Sequence, residues 1–360
     1  MAKQTAKQKQ TKTTRLRFVF SGTRAVVCLI LLAILVGAYF FVPRWFPIDV
    51  GGTGTQVENE GSLVWHTVDV GQGDCTIVQF PDDKVLMVDA GKPSAYTDII
   101  KYLNTWQITT IDWFVITHPH DDHYGAAPKL LADESLKFNE LYYSPYPSTN
   151  KTYEFVNNYD FQAPKDGQAI KGEDYTITFV VAESTDGDDY PNDASLMMTI
   201  EYYNKIFVLT GDASSSMDDT FIANATEMKI FDSLTDKQVI LKVAHHCSRT
   251  GSSDKFLNFI FNTVVPENNF ALISCGKDNS YKHPHQEALK RLQTYVPSNH
   301  ILITMDSGDI VIEATATTLT INDTEFPVSQ IAYSTIFITI GVVIIVLCFC
   351  QFNTKTTKRK

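Results

Sequence analysis

Thr117-His118-Pro119-His120-Asp121-Asp122-His123-Tyr124-Gly125 decides how this chain of 360 residues is read. Three of its nine histidines and a carboxylate fall within six positions, in the order His-x-His-x-Asp-His. The apolar run Ile111 to Ile116 just before them predicts a buried strand, so the turn that follows starts at a sheet edge and can gather its side chains around one point. Imidazole and carboxylate are ligands that suit Zn²⁺, Mn²⁺ or Fe, and the adjacent Asp122 and His123 can face a second ion beside the first. A solvated loop rich in histidine by chance would not need this spacing.

Outward from that stretch, the remaining candidate chemistry also falls where strands are expected to end. Asp89-Ala90-Gly91 closes one apolar run, Thr210-Gly211-Asp212 closes Phe207-Val208-Leu209, and Ala244-His245-His246-Cys247-Ser248 closes another. Asp212 is a carboxylate able to bridge two ions. One of His245 and His246 can complete the second site, with the other behind it or facing substrate. Asp89 is expected to orient the histidine loop rather than to bind metal. His66, His285 and His300 read as a strand position and two surface positions.

Strand-like and helix-like stretches alternate from residue 63 onward. The stretch 144–174 reads as loop, and the runs 301–305 and 310–314 read as a closing hairpin about Asp306-Ser307-Gly308. Two similar halves of strands with outer helices predict an α/β fold, a four-layer αββα sandwich.

The chain ends have a different character. Residues 1–24 carry seven basic side chains and no acid, and their Gln/Thr-rich composition predicts disorder. Ala25 to Val42 and Ile331 to Cys350 contain no charge, and each is about the length of a membrane-spanning helix. Basic flanks prefer the cytoplasmic side, which places both termini inside and the middle of the chain outside a cell membrane, with the lipid bilayer as partner. The expected order is a basic cytoplasmic tail (1–24), a transmembrane helix (25–42), a linker (43–62), a globular domain (63–315), a linker (316–330), a transmembrane helix (331–350) and a basic tail (351–360). All 41 acidic residues lie between the two ends, so no basic groove for nucleic acid shows in the composition. Cys75, Cys247 and Cys275 are the cysteines outside the uncharged runs; Cys247 and Cys275 flank suspected site turns and could bridge.

The ordered set Asp69-Val70-Gly71-Gln72-Gly73-Asp74, Val88-Asp89-Ala90-Gly91, His118 to His123, Leu209-Thr210-Gly211-Asp212, Lys242-Val243-Ala244-His245-His246 and Tyr281-Lys282-His283-Pro284 resembles the metallo-β-lactamase superfamily. More narrowly, it resembles the soluble hydrolase domain of the ComEC/Rec2-type competence proteins. The resemblance implies an αββα fold, one or two divalent ions (Zn or Mn) and hydrolysis by activated water. In the competence branch it implies DNA or another phosphodiester as substrate, and a separate channel or other competence proteins as partners. It suggests His118 and His120 for one ion, Asp122, His123 and His245 for the other, and Asp212 between them. His283 or His246 would then stabilise developing charge or protonate the leaving group.

Three departures qualify this. The wider superfamily places another histidine between the cluster and Asp212, whereas residues 124–211 contain none, which leaves the first ion an imidazole short and predicts either weaker binding of that ion or a preference for Mn²⁺ over Zn²⁺. Cys247 stands where the branch usually has glycine, narrowing the turn or adding a thiolate. The chain offers two spanning candidates rather than a multi-helix channel. Hydrolysis of another ester or amide (a lactone, a β-lactam, an envelope phosphoester) and a non-catalytic tethered module are the competing readings.

Overall fold

The computed structural model describes residues 11–18, 27, 30, 31, 61–144, 151–181, 191–232, 237–261, 266–322, 324–327 and 350–357. The chain divides into two compact units, Val57–Val328 and a second made of Met1–Gln56 with Ser329–Lys360. In the second unit, β1 (Thr11–Phe18) pairs antiparallel with the last strand (Cys350–Thr357), Thr11 opposite Thr357 and Phe18 opposite Cys350. Composition alone predicts disorder for this basic segment. Its four β-branched or aromatic positions, Thr11, Thr13, Thr14 and Phe18, suit an extended backbone, and pairing satisfies the amides. Apart from Val27, Ile30, Leu31 and Cys350, the two expected membrane spans lie outside the described residues. Among the described residues no helix is long and apolar enough to cross a membrane.

The larger unit is built on two sheets. In chain order its strands are β2 (Leu63–Thr67), β3 (Thr76–Gln79), β4 (Val85–Val88), β5 (Thr110–Ile116), β6 (Lys137–Tyr143), β7 (Phe161–Gln162), β8 (Ala169–Lys171), β9 (Tyr175–Val180), β10 (Met197–Tyr202), β11 (Lys205–Leu209), β12 (Gln238–Lys242), β13 (Asn269–Ile273), β14 (Ile301–Ile303), β15 (Ile310–Ala314), β16 (Thr318–Ile321) and β17 (Thr324–Pro327). The nine-stranded sheet runs β17-β16-β15-β2-β3-β4-β5-β6-β7 and the seven-stranded sheet β14-β13-β12-β11-β10-β9-β8. The main helices are α1 (Tyr96–Thr105), α2 (Asp121–Tyr124), α3 (Ala127–Leu131), α4 (Asp218–Glu227), α5 (Asp254–Phe261), α6 (Gln286–Leu292) and α7 (Thr304–Ser307).

Side chains alternate along a strand, so a strand apolar at every position must be covered on both faces. Such strands form the middle of each sheet. Trp113 and Val115 of β5 face the core between the sheets, whereas Ile111, Phe114 and Ile116 face a second core with α1 and α3. Phe207 and Leu209 of β11 point into the same central core, and Ile206 and Val208 into a third with α4, α5 and α6. Trp65 of one sheet stacks on Phe207 of the other at 5.1 Å. Three apolar layers between two sheets and two sets of helices give the four-layer arrangement that the sequence predicts.

The closing hairpin does not form. β14 extends the seven-stranded sheet parallel to β13, and β15 pairs with β2 in the other sheet, so α7 and Gly308 make a crossover between sheets. The expected loop holds a 3-10 turn (Lys151–Asn158) and the short strands β7 and β8. β16 and β17 carry the sheet past residue 315. His300 is buried rather than on the surface, stacked on Phe270 at 4.4 Å.

His66 is wholly buried, its ring nitrogens 3.0 Å from the Tyr102 hydroxyl and 3.0 Å from Gln79 Oε1. Burial drops its pKa to about 4 despite the Gln79 hydrogen bond. The folded chain therefore holds His66 neutral while the unfolded chain protonates it below about pH 6.5. Stability from this residue is complete above that pH and is lost on acidification toward pH 4, by about 3 kcal/mol. A His66→Gln variant should lose about that much less stability than the parent when denaturant midpoints at pH 7 and pH 4 are compared. Equal losses would contradict the assignment.

Candidate metal centre

β4, β5, β11 and β12 belong to the parallel parts of the two sheets, so their C-terminal ends lie on one side. Each delivers site residues just past its last position, as loops at the carboxyl ends of parallel strands commonly do. β5 leads to His118, His120, Asp122 and His123; β11 to Asp212; β12 to His245 and His246.

Asp212 is the centre of the cluster. Its Oδ1 lies 3.2 Å from His123 Nε2, and its Oδ2 lies 3.8, 3.5 and 3.8 Å from the Nε2 atoms of His118, His246 and His245. Ligand atoms of His118, His120 and Asp212 fall within 4.8 Å of one another, as do those of Asp122, His123 and His246. The two groups are neighbours through Asp212, which lies 3.2 Å from His123 Nε2 and 3.5 Å from His246 Nε2; within the second group His246 Nε2 is 3.6 Å from Asp122 Oδ2 and 3.4 Å from His123 Nε2. In the first group, His118 Nε2 and His120 Nδ1 face each other at 3.0 Å. Asp212 Oδ1 is a buried oxygen with no hydrogen-bond partner among the described residues. Clustered imidazole nitrogens around such a carboxylate are a donor set that fits divalent cations.

Interactions behind these groups fix their aim. Asp89 Oδ2 accepts a hydrogen bond from His123 Nδ1 at 2.7 Å, and Thr117 donates to both Asp89 oxygens. That leaves His123 Nε2 for the centre and gives Asp89 the orienting place expected of it. His246 Nδ1 donates to the Ser274 carbonyl at 2.8 Å and lies 3.4 Å from Asp74 Oδ1, so its Nε2 also points inward. Asp74 is in turn paired with Lys242 at 2.6 Å, both side chains buried. Asn192 lines the cleft in the stretch that carries no histidine, and Ser195 Oγ accepts the Asp212 amide at 2.9 Å. Nothing in the sequence around Asp74 or Ser274 marks them for these roles. Asp74 follows Gly73, where a Cβ would lie 2.5 Å from the Asp122 carbonyl oxygen, so this close approach requires glycine.

The geometry separates the paired histidines. His246 is buried within the second ligand group, where the resemblance suggested His245; His245 sits nearer the cleft, with Nδ1 3.3 Å from Thr250 Oγ1. His245, His246 and Cys247 have φ of 52°, 53° and 64°, a left-handed run that non-glycine residues resist and that persists where surroundings enforce it. Cys247 thus occupies a conformation that suits the branch's glycine. It adds no thiolate: its side chain packs in the helix-side core and burial lifts its pKa to about 12. Cys75, Cys247 and Cys275 are all free, so the bridge considered for the last two is not made.

Electrostatics follow the same plan. Burial disfavours charge on His246, but Asp212 and Asp74 outweigh it and raise its pKa to about 10. Burial likewise opposes ionised Asp212, and His123 and His246 overcome it, holding the carboxyl well below the usual range. Burial, reinforced by His246 and His245, lowers the His283 pKa to about 4. His283 sits over the paired histidines, with ring centroids 5.5 Å from His245 and 5.9 Å from His246. The centre opens into a cleft of about 660 Å³ lined by His120, Asp122, Asp212, His245, His246 and His283.

The family model for the metallo-beta-lactamase superfamily matches residues 68–261. The chain belongs to that superfamily. Within it, the chain is 26% identical over 275 residues to ComE operon protein 3 of Bacillus subtilis, covering 71% of this chain and 33% of that protein. It is 26% identical over 243 residues to Recombination protein 2 of Haemophilus influenzae, covering 64% and 26%. It is 23% identical over 293 residues to Competence protein ComA of Neisseria gonorrhoeae, covering 77% and 37%. This metallo-β-lactamase-fold hydrolase is therefore related to competence proteins, and spans about a third of their length.

Because Asp89 acts through His123, its loss should weaken the centre without erasing it. Asp89→Asn is expected to lower metal affinity or turnover by about 10- to 100-fold. Metal titration followed by chelator competition reads this; a variant indistinguishable from the parent would remove Asp89 from the account.

Proposed function

We propose that the chain is a membrane-tethered, metal-dependent phosphodiesterase or nuclease acting outside the cell membrane. The observation that carries the reading is the pair of ligand groups, His118–His120 and Asp122–His123–His246, meeting at Asp212 on the floor of an open cleft. Two cations side by side suit in-line displacement at phosphorus, where they activate a water and polarise a phosphoryl oxygen. The similarity to competence proteins favours a phosphodiester over a lactam, and the two uncharged runs at the chain ends supply the tether.

In this reading Asp212 would help to hold both cations and Asp122 would help to hold the second. His246, whose Nδ1 is held by Ser274, is a ligand, which leaves His283 to face the substrate. With a pKa near 4, His283 is neutral at physiological pH and acts as a hydrogen-bond donor to developing charge instead of as a proton donor. His245 flanks the same oxygen of Asp212 from the solvent side and can approach the first cation or the substrate.

One observation favours a second reading, hydrolysis of a smaller ester or amide: among the described residues Lys92 is the one lysine or arginine lining the cleft of a strongly acidic chain. Turnover of single-stranded DNA, a generic phosphodiester and a β-lactam by the full chain in detergent, with Mn²⁺ or Zn²⁺ added, separates the two. The proposal expects metal-dependent cleavage of the first two. Cleavage of the β-lactam alone would favour the rival, and no metal-dependent turnover of any would point to a binding module.

A further inference from the structure

Tyr281 is 56% exposed, the most exposed large apolar side chain among the described residues of the larger unit. It lines the cleft over the metal centre. Its ring lies on His283 at 5.7 Å between centroids and 20° between planes, and His283 leans in turn on both paired histidines. The loop holding it is fixed. Asn279 Nδ2 donates to the His283 carbonyl at 2.7 Å and to the Gly276 carbonyl at 2.9 Å, while Asn279 Oδ1 accepts the His283 amide at 2.9 Å. An aromatic ring kept in water at a site mouth, backed on one face and rigidly mounted, has little to contribute to folding and much to offer a planar ligand.

The charge of the cleft says which ligand. Among the described residues Lys92 is the one lysine or arginine lining the cleft, so this wall offers few phosphate contacts to a polyanion. Stacking on an aromatic ring does not depend on charge and accepts any base, provided the base is not already stacked inside a duplex.

We propose that Tyr281 is a stacking platform for an unpaired nucleobase next to the scissile phosphodiester, which makes single-stranded nucleic acid the preferred substrate over duplex. The inference rests on the phosphodiesterase reading above. Tyr281 binds substrate in the ground state and the transition state alike, so its removal acts on KM and spares kcat.

The test uses the full chain and three oligodeoxynucleotides of one length: a single strand, its duplex, and an abasic strand with the same backbone. For the single strand, Tyr281→Ala should raise KM by about tenfold, with kcat unchanged. Tyr281→Trp should retain the parental KM, and the abasic strand should show the same KM with all three proteins. An equal rise for the abasic strand, no rise for the single strand, or a fall in kcat at constant KM would each overturn the stacking role and leave the phosphodiesterase reading standing. No cleavage of any strand by the unaltered chain would overturn both.

Discussion

Replacing Asp212 with Asn is expected to cut metal-dependent turnover by at least about a thousandfold, a loss of roughly 4 kcal/mol of transition-state stabilisation. Four imidazole Nε2 atoms lie within 3.8 Å of its two oxygens, so it belongs to the first ligand group and touches two members of the second. An amide of the same shape keeps the Asp212 backbone bond to Ser195 and presents one weak acceptor where a charged carboxylate spanned two positions. The variant should therefore fold, give a parental circular dichroism spectrum, and retain less bound metal after dialysis. Turnover within tenfold of the parent would show that the shared carboxylate does not matter and that the two groups do not act as one centre.

The second large effect is on stability. Lys242 and Asp74 form an ion pair at 2.6 Å with both side chains buried, linking the end of β12 to the segment after β2. Removing one partner of a buried pair leaves the other charge stranded, at a typical cost of about 3 to 5 kcal/mol. Asp74 retains His246 as a neighbour at 3.4 Å, which places Lys242→Met near the lower end, about 3 kcal/mol. For a domain of this size that lowers Tm by roughly six degrees. Joint replacement with Asp74→Asn should recover much of the loss, since neither charge then remains. A single variant melting within two or three degrees of the parent, roughly the shift of 1 kcal/mol, would show that the pair is replaceable.

Much of the fold could be read from the sequence because apolar runs ending in Asp89, His118, Asp212 and His245 mark strands whose carboxyl ends share an edge. Their convergence follows from parallel packing, and the described residues place them together. Partners in a sheet are another matter. Ile301–Ile303 and Ile310–Ala314 look like neighbours because a short turn separates them, yet the apolar pattern of a strand does not say which sheet receives it. Asp218–Glu227 carries little helical signal in its sequence, which offers Phe221, Ile222 and Ala225 on an otherwise polar surface. Lys137–Tyr143 buries only Leu141 and Tyr142, too little for a period to show.

Within the site, residue types were legible and aim was not. His245 and His246 are adjacent and identical in chemistry. What distinguishes them is a left-handed backbone turn together with acceptors at Ser274 and Asp74, both distant in sequence. Asp74 sits in a glycine-rich turn that reads as a loop until its contact with Lys242, 168 positions away, is known.

X-ray absorption at the metal edge of the full chain, loaded with Zn²⁺ or Mn²⁺, tests the central claim most directly. Convergence of the segments near 120, 212 and 246 predicts nitrogen and oxygen neighbours at about 2.0–2.2 Å, with the outer-shell scattering of imidazole rings. A sulfur shell at about 2.3 Å, a shell without imidazole, or failure to retain metal would contradict it.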